Sequence, residues 1–181
     1  LREAHRQEAH FIFCFMKELD LSRINACAPY KVIKANHPNY FRFISKSGAE
    51  FAVGFDEDHF ITSESYQFII VNSNGKHSPN DKKVRDTIFS IVNEFFRVNN
   101  VTMLYICETG DGKQAMRSRL FSYWFTTLAD KGKYSIYQSS IVDEEGVDNY
   151  FAVITRNDNP YARQVMNEFY DNLYFFSHKP E

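Results

Sequence analysis

The sequence carries none of the short motifs that announce a catalytic chemistry. It has no G-x-S-x-G elbow, no Walker loop, no H-E-x-x-H helix and no paired C-x-x-C. Thr109-Gly110-Asp111-Gly112 lacks the six-residue glycine spacing of a dinucleotide fingerprint, so no cofactor is expected. Cysteine is scarce: Cys14, Cys27 and Cys107 are an odd number in no metal-ligand spacing. Each lies in or near an apolar stretch, which predicts buried free thiols in a reducing cytoplasm. No metal is expected elsewhere. His5 and His10 would stand about 140° apart on a helix, and His37 and His59 sit in polar turns. The acidic "DEEGVD" lacks the ligand spacing of a calcium loop and reads as a solvated hairpin tip.

Charge of one sign is also missing. Lys and Arg number 21 against 23 Asp and Glu, a net −2, which leaves no electrostatic reason to expect nucleic acid or an anionic membrane. Long apolar runs are absent. "FIFCFM" is far shorter than the roughly 20 residues that span a bilayer, and no signal-peptide cleavage pattern follows it. A cytoplasmic protein is therefore expected. The chain opens on Leu1 rather than Met, which leaves its true start open.

What is abundant is aromatic: 18 Phe, 11 Tyr and one Trp, so much of the core must be ring-on-ring packing. With 181 residues and no linker, repeat or low-complexity tract, residues 1–181 read as one domain. Leu1 to Leu19 is rich in good helix formers, so residues 1–29 read as an N-terminal helical extension. The alternation Phe11, Phe13, Phe15 argues for a strand there instead. The core, residues 30–181, opens with strands at Tyr30–Ala35, Tyr40–Lys46, Glu50–Phe55 and Tyr66–Asn72. Period-2 alternation marks the second and third, and Gly48 marks the turn between them. A helix over Asp81–Val98 carries Val84, Ile88, Ile91, Val92 and Phe95 on one stripe. A buried strand (Val101–Cys107), a helix (Gly112–Ala129) and two strands (Tyr134–Val142, Tyr150–Thr155) follow. Asn159 and Pro160 start a last helix. The order α-ββββ-α-β-α-ββ-α predicts an α+β fold: helices on a mixed, largely antiparallel sheet of about six to seven strands.

The candidate polar site lies in "CETGDGKQAMRSRLFSYWF". Asp111 and Gln114 read as a capping box. At 100° per residue Arg117 shares a helix face with Lys113, Phe121, Trp124 and Leu128, charged at one end and aromatic beyond. Two accounts of Arg117 compete. It pairs with Glu108 or Asp111 across the strand-to-helix junction, or it receives an anion with Lys113 and the amides after Gly110, beside Gly112. Two acids within reach favour the first.

The last helix carries Phe169, Tyr170, Leu173, Tyr174, Phe175 and Phe176 around most of its circumference, more than one sheet face can cover. Phe169, Tyr170, Tyr174, Phe175 and Phe176 are thus candidate interface residues, for a homodimer or another protein partner, unless they pack under the N-terminal helix.

Two resemblances can be stated. Phe43, Ser45 and Gly48, then Cys107, Glu108, Asp111, Gly112, Lys113, Gln114, Arg117, Trp124 and Phe125, follow the pattern of a small bacterial domain-of-unknown-function family. That likeness covers roughly residues 30–155 and implies no activity. More distantly, the element order is similar to that of the GNAT acyltransferases. Those enzymes hold the acyl-CoA pyrophosphate on a glycine-spaced loop after the meander; the loop here, "NSNGKHSPND", lacks that spacing. Three functions follow as expectations: a non-catalytic interaction or self-associating module, a divergent acyltransferase, or a small-anion or nucleotide-binding regulator.

Overall fold

The computed structural model describes residues 16–61, 64–107, 112–128 and 132–177. These form four helices and a seven-stranded sheet in an α+β arrangement, with the expected element order. The chain begins with helix α1, Leu21–Cys27. Of the helix expected over Leu1–Leu19, residues 1–15 lie outside the described part. Met16 to Asp20 are not helical. The reason is tertiary. The Lys17 amide donates to Asn99 Oδ1 at 2.8 Å and the Asp20 amide to Glu94 Oε1 at 3.1 Å, so this backbone is satisfied from outside a helix. Asp20 then starts α1 by accepting from the Ser22 and Arg23 amides. Cys27, expected to be buried, is exposed at the end of α1.

The antiparallel meander follows: β1 (Ile33–Lys34), β2 (Tyr40–Ile44), β3 (Glu50–Glu57) and β4 (Ser65–Asn72). Strand β1 is shorter than the expected Tyr30–Ala35. Side chains capture its first amides: Tyr30 N donates to Thr87 Oγ1, and Asn25 brackets the backbone of Val32 through both ends of its amide. Gly48 takes φ +77° in the β2–β3 turn, where L side chains rarely go, and its amide closes the turn on the Ser45 carbonyl at 2.9 Å. The strict alternation puts Phe41, Phe43, Phe51, Val53, Phe55, Tyr66 and Phe68 on one buried face. Helix α2 (Lys82–Val98) covers that face with the expected stripe, joined by Phe89 and Phe96. Phe95 stacks on Phe55 at 4.2 Å.

After α2 the chain crosses to β5 (Thr102–Ile106), which runs parallel to β4. Helix α3 (Gln114–Leu128) leads into the hairpin β6 (Tyr134–Val142) and β7 (Asp148–Arg156). The sheet order is β1-β2-β3-β4-β5-β7-β6. The β6–β7 tip is the solvated turn expected: Asp143 accepts from the amides of Glu145 and Val147. Asn159 Oδ1 accepts from the Tyr161 amide at 3.0 Å, and helix α4 (Ala162–Ser177) follows the turn at Pro160. Helix α4 packs on the other side of the sheet, where Val165, Phe169 and Leu173 meet Leu104 and Val153. The sheet thus has two cores, α1, α2 and α3 over one face and α4 over the other. Among the described residues no helix is long and apolar enough to cross a membrane.

Candidate functional site

Three of the six candidate anion-site residues, Glu108, Gly110 and Asp111, lie outside the described residues. Gly112 takes φ +69°, a left-handed conformation suited to the turn before α3. Lys113 is exposed, and its carbonyl accepts the Arg117 amide at 3.0 Å as the first turn of α3 forms. Asp111, which forms the expected capping box with Gln114, lies outside the described residues. Gln114 Oε1 is buried and, among the described residues, accepts no hydrogen bond.

Arg117 is half-buried on the same side of α3 as Phe121, as its spacing predicts. Its charge is felt at the end of β5. There it acts on the Cys107 thiol and the Tyr105 phenol. Residues two apart on a strand share a face, so Tyr105 and Cys107 both point toward α3. The Tyr105 ring stacks on Phe121 with centroids 3.8 Å apart. Its hydroxyl and Ser118 act on the Cys107 thiol, each favouring the thiolate. These four polar side chains make one cluster under the sheet. Tyr105, Cys107 and Ser118 were missed as site residues. The available signal was the two-residue step from Tyr105 to Cys107, facing a helix that carries arginine and serine side by side.

The electrostatics decide what the cluster can do. Burial pushes the Cys107 thiol above its ordinary pKa; the Tyr105 hydroxyl, Arg117 and Ser118 pull it back only in part. Burial likewise raises the Tyr105 phenol, helped by Cys107 and opposed by Arg117. At neutral pH the site therefore holds a protonated thiol and a protonated phenol rather than an armed nucleophile.

Two other places bear on function. A hollow of about 750 Å³ lies at the opposite end of the sheet, lined in part by Arg97, Lys133 and Arg156. Two of its cations already hold carboxylates, Arg97 on Glu94 and Arg156 on Asp158. The loop after β4 leads to the N-terminus of α2, where Asp81 accepts from the Lys83 amide at 2.8 Å and from the Tyr30 hydroxyl at 2.6 Å. The Tyr30 hydroxyl holds the Asp81 carboxyl below its ordinary pKa, so a full negative charge occupies this helix end. Among the described residues, no group of three or more His, Cys, Asp or Glu is arranged to hold a metal ion.

The candidate interface residues divide. Phe169 is fully buried against the sheet and belongs to the core. Tyr170, Tyr174, Phe175 and Phe176 are exposed, Tyr174 and Phe175 by 67% and 66%, while Phe176 also stacks on Phe60 at 5.7 Å.

The model of a family of unknown function, DUF6169, matches residues 80–171, from the start of α2 into α4, and the chain belongs to that family. The matched span includes Cys107 and Arg117 and excludes the meander hairpin at Phe43, Ser45 and Gly48. No curated protein and no solved structure matches the chain.

Thiol labelling tests the cluster. In a chain with Cys14 and Cys27 replaced by Ser, Cys107 should alkylate at neutral pH on the order of tenfold more slowly than a free thiol. Because Arg117 favours the thiolate, Arg117→Met should move the midpoint of the pH–rate profile upward. A midpoint that stays put or falls would detach Arg117 from the thiol.

Proposed function

We propose that this protein is a non-catalytic, self-associating module. The observation that carries the reading is the outer surface of α4, where Tyr170, Tyr174 and Phe175 present large rings to solvent. Large exposed rings gathered on one helix mark a contact with another chain. The protonated thiol and phenol beside Arg117 add to it, since neither is poised for attack or proton transfer at neutral pH.

A second reading, a divergent GNAT-like acyltransferase, draws on one observation. Strands β4 and β5 are parallel and pair only at Ser65–Thr102, Tyr66–Met103 and Gln67–Leu104; beyond these pairs they run on without pairing to each other. Such a gap could admit a pantetheine arm. Against it, the α2 N-terminus that would receive the pyrophosphate holds the Asp81 carboxylate, and like charge repels phosphate. A third reading, an anion-binding regulator using Lys113 and Arg117, has no comparable support.

Two measurements separate the first reading from the second. Light scattering at micromolar concentration should give the mass of two chains; the mass of one chain would end the self-association reading. Titration calorimetry with acetyl-CoA should show no binding, and micromolar affinity would promote the acyltransferase.

A further inference from the structure

The two edges of the sheet are built differently. Edge strand β1 is two residues long and carries Lys34, which pairs with Glu18. Short length and charge are the usual protection of an edge. Edge strand β6 is nine residues long, "YSIYQSSIV", with no charged residue, no proline and no glycine. No described strand pairs with its outer side. A long uncharged edge left bare invites aggregation, so a well-behaved protein is expected to cover it.

The hydrogen bonding indicates how. Asp143 N donates to the Val147 carbonyl and Asn157 N to the Lys133 carbonyl, at the two ends of the β6–β7 ladder. Odd-numbered residues of β6 are therefore bonded to β7. The amides and carbonyls of Tyr134, Ile136, Gln138, Ser140 and Val142 point outward. Two copies of β6 laid antiparallel in full overlap place Gln138 opposite Gln138, Ile136 opposite Ser140, and Tyr134 opposite Val142. Each of these is an even-to-even pair, so every outward amide meets a carbonyl. The strand fits itself in register, and no like charges face one another.

Strand pairing alone buries too little, since a stable interface takes roughly 800 Å² from each partner. Helix α4 supplies more. It packs on this sheet half, with Tyr137 and Ile141 of β6 in its core. Its Asn172 and Phe176 reach Phe60, which leads toward β4. At 100° per residue, Met166, Tyr170 and Tyr174 fall on the other flank, the side of β6. A buried ring contributes about 150–250 Å².

We propose that the partner of this protein is a second copy of itself, joined across a two-fold axis at Gln138 so that β6 pairs with β6 and the two sheets become one. The Tyr170 and Tyr174 flanks of the α4 helices close over the junction. The proposal rests on the self-association reading and specifies its surface.

The test uses the full chain. Gln138→Pro removes an outward amide and leaves the β6–β7 ladder intact, so it should give a folded monomer by light scattering and circular dichroism. In a chain whose three natural cysteines are Ser, Gln138→Cys should form an interchain disulfide under a mild oxidant. A directly opposed hydrogen-bonded pair stands about 5.5 Å apart, within disulfide reach. Ser140→Cys should not cross-link, because its own copy lies about 13 Å away along the strand. The cross-linking readout stands even where Gln138→Pro fails to fold. A dimer that survives Gln138→Pro and cross-links at neither position overturns the β6 interface while leaving self-association standing. A monomeric parent chain overturns both.

Discussion

Three residue pairs join the two halves of the sheet. The parallel seam between β4 and β5 joins the antiparallel meander to the antiparallel β5-β7-β6 group, and it is the one place where the sheet changes direction. Parallel pairing needs a crossover, and α2 provides it. Phe95 lies face-on to Phe55 and edge-on to Tyr66, so the crossover helix is anchored on the meander beside the seam. Past the seam the two strands no longer pair with each other. Phe68 of β4 and Tyr105 of β5, the next residues on each, have ring centroids 6.2 Å apart, and Phe121 of α3 lies 6.2 Å from one and 3.8 Å from the other. Rings fill that side of the opening.

That filling governs the chemistry. Tyr105 cannot both stack on Phe121 and move freely as a proton donor, and Cys107 behind it is kept protonated by its burial. Asp81 does the same for the helix end across the opening, where its charge takes the place an anion would occupy. Both points are occupied by the chain's own groups, and the proposed contact surfaces are the outer rings of α4 and the edge of β6, beyond which no described strand pairs.

The local elements were legible because local rules decide them. Phe41, Phe43, Phe51, Val53 and Phe55 lie inward as the alternation of their strands indicates, and the stripe from Val84 to Phe95 lies inward as its 3.6-residue period requires. Failures came where distant partners decided. Met16 to Leu19 lost the expected helix as the amides of Lys17 and Asp20 bonded Asn99 and Glu94, and Tyr30 to Val32 lost its strand to Thr87 and Asn25; each partner is a side chain on or next to another element. The site behaved in the same way. The inward side of Arg117 was readable from helix spacing, whereas its neighbours Tyr105 and Cys107 arrive through the packing of α3 under β5. Phe169 and Tyr170 are adjacent and similar in sequence, and only the angle at which α4 meets the sheet makes one core and the other surface.

If β6 is the surface through which the chain acts, its outward backbone should be covered in solution. Residue-resolved amide hydrogen exchange addresses this without any mutation. The account predicts that the amides of Ile136, Gln138 and Ser140 are as protected as those of Tyr137 and Ser139, and lose that protection on dilution as the dimer dissociates. Fast exchange at the three outward amides at every protein concentration, beside slow exchange at the inward ones, would contradict it.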